Sequence, residues 1–463
     1  MVTLPPGRDQ TPLDVLLIGI GSIGSIYAYI LEKSGRARVT AVARSNYSLY
    51  STTGATLDTD RFGVIEGWTP HRVVRSQAEA LEGDVQYAFC VICTKCLPDI
   101  LPTAKLVAEG IASHRIGAWS LIQNGLGVEE DLYQAVKDGE TPIISSCAWI
   151  GIMTSPDGKV VTWRGVETLV SGIYPPLCPP DEPQTRSFSK REVEAAELWK
   201  EMLTQGGAKV LMDDRIDSIR FSKNIINCAW SSIQGLTRCV PACFEPLPPE
   251  LTDFVKKLFR EIIDTGFRSG LLRQGMVQYP GGQPMGDAAE VTHFAWSNIY
   301  NTSVQKRRSG ATPHKMSLLI DVEMGRPFEV EVITGAVLRV AQAHNVAVPL
   351  LGYSGSGVIE IKVEVSVVTL AAGPMSEMVS TSAVTVTVMT MHASASRPGE
   401  LARITATAHT TKVRAEAHAT ASSGARVVVR TTVRPSVPWR APTPGAGMTM
   451  VHWKFMAVDM VLV

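Results

Sequence analysis

The sequence has no excess of either charge, because its 463 residues include 44 lysines and arginines and 44 aspartates and glutamates. A balanced chain offers no broad electrostatic surface to nucleic acid. Apolar runs long enough to span a bilayer are also lacking, and the start, MVTLPPGRDQTPLD, has no apolar signal-peptide core. We therefore expect neither a nucleic-acid nor a membrane partner, and a cytoplasmic location.

Cysteines are few, and the eight present form no compact disulfide framework. Cys90, Cys93 and Cys96 are spaced like metal ligands, but the first two lie within the apolar run AFCVIC. Since no second cluster or histidine pair accompanies them, buried thiols are favoured over a zinc site. The sequence predicts no metal site and fits a reducing compartment.

Three glycines with the spacing G-x-G-x-x-G lie in the stretch DVLLIGIGSIGSIYAYILEKSGRARVTAVAR at residues 14–44. Its pattern predicts a buried strand, a glycine turn, a helix and a second strand. Gly19 would allow a tight turn, Gly21 the approach of a pyrophosphate, and Gly24 close packing of the helix on the strand. The helix N–H groups would then face the phosphates. The predicted cofactor contacts in this loop are Gly19, Gly21, Ser22, Ile23 and Gly24.

No acidic residue stands at the end of the second strand, where NAD sites usually bind the ribose 2′-hydroxyl with a carboxylate. Arg44 occupies that position and is followed by Ser45 and Asn46. Because a guanidinium suits a 2′-phosphate, Arg44 predicts NADPH/NADP+ as the cofactor. The alternative interpretation is a solvated surface arginine.

Changes in periodicity predict an α/β chain with an N-terminal Rossmann-like dinucleotide-binding domain, a mainly helical C-terminal domain and a poorly ordered C-terminal tail. Val85–Thr94 and Ile116–Leu121 read as buried strands, with a helix at 100–107 between them. The predicted segments are a flexible arm at 1–13, an NADP-binding domain at 14–174, a proline-rich linker at 175–190, a helical substrate and catalytic domain at 191–351, and a Thr/Val/Ala-rich low-complexity tail at 352–463. Helical spacing is found at 191–204, 216–234, 251–274 and 327–345.

The second domain carries the residues that predict chemistry. Lys223 and Asn227 are four residues apart on one predicted helix, so they share a face, with Ser231 one turn further on. A lysine on a largely apolar helix could donate a proton, although an exposed lysine beside polar residues fits the spacing as well. Ser317 shares a helix face with a later aspartate, and Glu329 is predicted just inside the next helix, where a carboxylate is also favoured as a simple N-terminal charge.

These motifs occur in order over residues 14–351: the glycine loop, CTK, QNG, KNIIN and SLLIDVEMGRPFEVEVITG. Together they resemble the ketopantoate reductase (2-dehydropantoate 2-reductase) family. The resemblance implies an oxidoreductase that transfers a hydride from NADPH to the C2 carbonyl of ketopantoate. The product would be pantoate, a precursor of pantothenate and coenzyme A.

The resemblance also implies roles for individual residues. Lys223 would be the general acid, and Glu329 would bind the reacting oxygen or position Lys223. Lys95 and Asn124 would line the cofactor near its nicotinamide. The implied substrate contacts are Asn124, Asn227, Ser231 and Ser317.

One departure from the family concerns the substrate. Ser231 stands where family members often have a second asparagine, which weakens the inference of ketopantoate more than that of hydride transfer. Two alternatives therefore stay open, a reductase of another 2-oxo acid and a non-catalytic NADPH-binding sensor. The expected partner is a small-molecule 2-oxo acid, and a homodimer is left open.

Overall fold

The computed structural model describes residues 11–178, 182–277, 279 and 284–351, together with the backbone of three later strands. The chain divides into two units, at residues 1–353 and 354–463. The predicted arm at 1–13 and linker at 175–190 lie partly outside the described residues. Within the described residues, no helix combines the length and the apolar character that crossing a membrane would need.

A mixed sheet of ten strands lies in the first unit, with the order β4-β3-β9-β8-β7-β6-β1-β2-β5 and with β10 paired to β9. The strands are β1 Leu13–Ile18, β2 Ala37–Val42, β3 Ala55–Thr59, β4 Gly63–Trp68, β5 Arg72–Val74, β6 Tyr87–Ile92, β7 Ile116–Leu121, β8 Ile143–Thr154, β9 Val160–Tyr174 and β10 Val210–Met212. The neighbours from β8 to β5 in this order are all parallel. Their carboxyl ends therefore meet at one edge of the sheet, as the sequence predicts for a Rossmann-like domain.

The buried strands show why their sequences are continuous apolar runs. Val15 and Leu17 of β1 face one core, whereas Leu16 and Ile18 face the other. Because successive side chains of a strand point to opposite faces, a strand covered on both sides needs apolar residues at every position. The predicted strands at 85–94 and 116–121 correspond to β6 and β7, and every residue of both is buried.

Helices cover both faces of the sheet and build most of the described chain between residues 190 and 351. They are α1 Ser22–Lys33, α2 Tyr47–Thr52, α3 Gln77–Ala80, α4 Thr103–Leu106, α5 Ala108–Ser113, α6 Glu130–Val136, α7 Lys190–Gln205, α8 Ile216–Thr237, α9 Pro249–Arg268, α10 Ala288–Arg308, α11 Ser317–Glu323 and α12 Ala336–Ala343. Two 3₁₀ turns lie at Lys137–Gly139 and Pro241–Phe244, and a π-helical turn at Glu331–Gly335 leads into α12. The predicted order, a dinucleotide-type α/β domain followed by a mainly helical domain, is confirmed.

The helix predicted at 100–107 is wrong in its bounds. Pro102 precedes α4, which has only four residues, and a separate short helix, α5, follows. Proline disfavours the helical conformation at the residue before it, so a helix could not run through Leu101. Leu101 instead forms an isolated bridge with Leu97.

α8 is the central element of the helical domain. Phe221, Ile225, Cys228 and Trp230 are each at most 1% exposed, and they share one core with the sheet and with α9 and α10. A helix that is buried on most sides keeps few polar side chains unless they are paired or used. A lysine or arginine side chain on α8 is therefore a candidate for a structural or functional role.

The second unit contains an antiparallel sheet of three strands in sequence order, β11 Val358–Val365, β12 Ser382–Ser394 and β13 Arg403–Ala415. These strands lie within the predicted Thr/Val/Ala-rich tail at 352–463. The prediction of poor order at 352–463 concerns residues most of which lie outside the described ones.

Candidate active site

The candidate active site lies at the carboxyl edge of the parallel strands. β1, β6 and β7 are neighbours in the sheet, and each is followed by one of the predicted motifs. The glycine loop follows β1, Lys95 lies in the turn after β6, and Asn124 lies in the turn after β7. The Gln123 side chain joins two of these turns by donating to the Thr94 carbonyl oxygen at 3.0 Å. Ligands of open α/β sheets bind at such an edge.

The glycine loop has the backbone that its spacing predicts. Gly19 adopts a φ of +97°, and a Cβ there would lie 2.7 Å from the Thr94 side chain. A Cβ on Gly24 would lie 2.1 Å from the Gly19 carbonyl oxygen, because α1 packs closely on the turn. Among the described residues, a Cβ on Gly21 would meet no atom within 4 Å, and no side chain caps α1 there. The helix N-terminus is thus open to an anion.

Gly24→Ala is expected to lower the free energy of unfolding by about 1–3 kcal/mol, because the added methyl group must push α1 away from β1. Gly21→Ala is the matched control, since its methyl group enters open space and should cost less than about 1 kcal/mol as a change of N-cap residue. Urea denaturation of both variants measures the difference. Equal stability of the two would contradict the close packing of α1 at Gly24.

Arg44 lies just beyond the end of β2 and is exposed. Arg75, which the sequence analysis missed, follows β5 at the same edge of the sheet, and its guanidinium lies 3.8 Å from the centre of the Tyr47 ring. β2 and β5 are paired neighbours. No carboxylate stands at the end of β2, so the chemistry here suits a phosphate better than a free ribose hydroxyl.

Lys223 projects from α8 toward the turn after β7. Its ammonium donates to the Asn124 side-chain oxygen at 2.7 Å and to the Ala148 carbonyl oxygen at 2.6 Å. An ammonium has three donors, and within the described part of the chain the third has no partner. Burial lowers the pKa of Lys223, and the neighbouring Arg220 lowers it further, whereas Cys147 and Glu329 act in the opposite direction.

Glu329 is buried on the other side of Asn124. Its carboxylate accepts the Cys96 backbone N–H at 3.0 Å, and the Asn124 amide makes a polar contact that favours its charged form. Burial nevertheless raises the pKa of Glu329. The helix begins at Val330, so Glu329 precedes it and does not lie inside it as predicted. The structure thus brings Lys223, Asn124 and Glu329 together from three separate elements.

Lys95 links the α/β domain to the helical domain within the first unit. Its ammonium is ion-paired with Asp321 of α11 and donates to the Pro327 carbonyl oxygen at 3.4 Å. Asp321 is 4% exposed and also lies 3.4 Å from Arg326. That Lys95 lines the cofactor stays a prediction. Its ion pair with Asp321 could not be predicted from sequence spacing.

The remaining predicted substrate contacts make no hydrogen bond to this group within the described part of the chain. Asn227 is half-buried one turn beyond Lys223, and Ser231 is buried with a hydroxyl that has no hydrogen-bond partner among the described residues. Ser317 is the exposed first residue of α11. Gln234 of α8 anchors the start of α11 by accepting the Met316 N–H at 2.9 Å. Their predicted roles toward a substrate stay predictions.

Two protein-family models match the chain. The family described as "Ketopantoate reductase PanE/ApbA" matches residues 15–175, and the one described as "Ketopantoate reductase PanE/ApbA C terminal" matches residues 215–354. The chain belongs to the ketopantoate reductase family. The two matched ranges contain the glycine loop, Lys223 and Glu329. The match to this oxidoreductase family therefore includes both the predicted cofactor loop and the predicted catalytic residues.

Individual relatives are distant. An uncharacterized protein of Saccharomyces cerevisiae is 24% identical over an alignment of 361 residues, and the match covers 73% of this chain and 90% of that protein. The crystal structure of 2-dehydropantoate 2-reductase from Methylococcus capsulatus superposes with a TM-score of 0.55 at 24% identity, covering 73% of this chain and 93% of that one. A D-mandelate dehydrogenase with NADH and anilino(oxo)acetate gives a TM-score of 0.53 at 14% identity, covering 73% and 95% of the two chains. At these identities the two superpositions establish the fold.

Proposed function

We propose that this chain is an NADPH-dependent 2-oxo acid reductase that converts 2-dehydropantoate to pantoate, a step toward pantothenate and coenzyme A. The observation that carries the proposal is the surroundings of Lys223. Asn124 and the Ala148 carbonyl hold its ammonium at the carboxyl edge of the sheet, and the described residues leave one N–H for a ligand. Such a donor can stabilise and protonate an oxygen that gains negative charge.

The residues of the site divide the work of the reduction. When bound, NADPH supplies the hydride that reaches C2 of the substrate. Lys223 donates its proton to the C2 oxygen as that oxygen becomes an alkoxide. Asn124 and the Ala148 carbonyl hold the ammonium in place, and the Glu329 charge favours the protonated form of Lys223. Asn227, Ser231 and Ser317 are the residues we assign to the substrate's carboxylate and hydroxyl groups.

The residues at the sheet edge fit an NADP-type dinucleotide. The open backbone at Gly21 and the uncapped start of α1 suit a pyrophosphate. Arg44 suits the 2′-phosphate, and we assign Arg75 to the same group because its guanidinium is fixed on Tyr47 at the same edge. Ser22 and Ile23 would present their N–H groups to the phosphates.

Arg44→Ala is expected to weaken NADPH binding by about tenfold or more, because a charge-assisted bond to a phosphate contributes about 1.5–3 kcal/mol. NADH binding should change little, since NADH has no 2′-phosphate. Titration of the quenching of protein fluorescence by each cofactor measures both dissociation constants. Equal losses for NADPH and NADH would contradict the assignment of Arg44 to the 2′-phosphate.

One alternative has an observation in its favour. Ser231 stands where members of the ketopantoate reductase family often have an asparagine. In addition, the D-mandelate dehydrogenase, whose structure contains an aromatic 2-oxo ligand, shares the fold. A 2-oxo acid other than 2-dehydropantoate is therefore the second candidate substrate. A non-catalytic sensor is disfavoured by the retention of both Lys223 and Glu329.

The test of the proposal is the oxidation of NADPH by the full-length chain with a panel of 2-oxo acids. We expect kcat/KM to be highest for 2-dehydropantoate. A higher value for another 2-oxo acid would move the proposal to the alternative substrate. Tight NADPH binding without turnover of any 2-oxo acid would support the sensor. A cytoplasmic location and a homodimer stay predictions that fractionation and sedimentation would test.

A further inference from the structure

Arg220 is a second cation on α8, three residues before Lys223, and it is 4% exposed. Its Nε lies 2.6 Å from a carboxylate oxygen of Glu129, which is 2% exposed. The Ser145 hydroxyl accepts from the same nitrogen at 2.7 Å and donates to Glu129. The charge of Arg220 is therefore balanced deep inside the protein, at the contact of α8 with β8.

The other nitrogens of Arg220 reach the backbone around the candidate active site. One donates to the carbonyl oxygens of Gln123, at 2.7 Å, and Gly125, at 3.3 Å. The other donates to the Ser146 carbonyl oxygen at 3.2 Å. Gln123 and Gly125 are the two neighbours of Asn124. The guanidinium thus binds the turn on both sides of the residue that accepts from Lys223.

Stability alone gives a poor reason for this arrangement. A buried ion pair loses so much hydration that apolar residues of similar volume are often equally stable in its place. A planar guanidinium has one property that apolar residues and lysine lack, since its five donors form a rigid fork that can bind several acceptors at once. Here the acceptors are a carboxylate, two carbonyls of the turn at 123–125 and one carbonyl of β8, so the fork fixes backbone geometry.

We propose that Arg220 is a positioning residue, which holds the turn at 123–125 so that the Asn124 side chain meets both Lys223 and Glu329. This inference rests on the proposed function and deepens it. The turn has no strand or helix of its own, and its other backbone anchor is the bond from the Leu126 N–H to the Val332 carbonyl at 2.8 Å. Arg220 adds the anchor on the Lys223 side.

Arg220→Lys tests the inference because it keeps the charge beside Glu129 and removes the fork. We expect kcat with 2-dehydropantoate to fall by about tenfold or more, since small displacements of catalytic groups have large effects on rate. KM and the NADPH dissociation constant should change less than kcat, because Arg220 itself contacts neither ligand in the proposed mechanism and can affect them only through Asn124. Arg215→Lys is the matched control, since Arg215 lies at the start of the same helix and pairs with Asp217.

The decisive measurement is a double-mutant cycle with Asn124→Ala. If Arg220 acts through Asn124, Arg220→Lys should cost less than about twofold in kcat once the Asn124 side chain is gone. A purely structural role predicts that the two losses multiply, which would overturn the inference. An Arg220→Lys enzyme that is as active as Arg215→Lys would overturn it as well.

Hydrogen exchange separates failure of the inference from failure of the proposed function. Amides at 123–127 should exchange about tenfold faster in Arg220→Lys than in the parent chain, with no change in α1. If the parent turns over no 2-oxo acid, the proposed function fails, and this exchange rate alone decides whether Arg220 holds the turn. Unchanged exchange at 123–127 would overturn the inference whatever the activity of the parent.

Discussion

Lys223→Ala is expected to lower kcat by about a hundredfold or more while NADPH binding is retained. The substitution removes both the proton donor and the positive charge from the point where the C2 oxygen would become an alkoxide. It also leaves the Asn124 oxygen and the Ala148 carbonyl without the donor that they share at 2.7 and 2.6 Å. Steady-state kinetics with NADPH and 2-dehydropantoate measure the loss. Equal rates would remove Lys223 from the mechanism.

Lys200→Ala is a suitable control for this experiment, because Lys200 is an exposed lysine on α7. It should leave kcat unchanged. The pH profile of the parent enzyme gives a second check on Lys223. A general acid must be protonated, so kcat should fall as the pH rises through the pKa of Lys223. Because burial lowers that pKa from its ordinary value of 10.5, the fall should begin below the pH at which an exposed lysine titrates.

Local sequence predicted the parts of this molecule that local interactions determine. The glycine loop follows from steric limits at Gly19 and Gly24, and both glycines have neighbours that a side chain would meet. β6 and β7 follow from unbroken apolar runs. The helix predicted at 100–107 starts later, at Thr103, because the ring of Pro102 disfavours the helical conformation at the residue before it.

The convergence of the site could not be predicted from spacing. Lys223 and Asn124 are 99 residues apart, and Lys95 and its acceptor Pro327 are 232 apart. The sheet order, with β6 between β7 and β1, brings Lys95 and Asn124 to one edge, and the packing of α8 and of the segment before Val330 adds Lys223 and Pro327. Arg220 gave a local signal, a charge on a largely apolar helix, but nothing in its own segment identifies Glu129 as its partner.

The surroundings of Glu329 explain why two groups with opposite charges are both shifted toward neutrality. Burial raises the pKa of Glu329 and lowers that of Lys223. Each charge partly offsets this effect on the other, since Lys223 lowers the pKa of Glu329 and Glu329 raises that of Lys223. In the proposed mechanism the carboxylate would therefore act even without contact to a substrate, because it raises the pKa of Lys223.

Glu329→Gln is expected to lower kcat by about tenfold to a hundredfold, because the charge that favours protonated Lys223 is lost. Glutamine keeps an oxygen that can accept the Cys96 N–H, so the fold should be retained. Without the carboxylate, the pKa of Lys223 should fall further. The high-pH fall of kcat should then move to lower pH than in the parent enzyme. A profile that keeps its position would contradict this coupling.

The same substitution should change stability in a direction that the raised pKa of Glu329 determines. Between its ordinary value of 4.5 and its raised value in the folded protein, the folded state binds more protons than the unfolded state. The Glu329 contribution to the free energy of unfolding is therefore fully present below 4.5 and is lost as the pH rises through the raised pKa. Glu329→Gln has no such group, so its stability relative to the parent should increase across this window and then level off. Urea denaturation of both proteins at a series of pH values measures the difference, and a gain for the parent with rising pH would show that Glu329 is stabilised as a carboxylate.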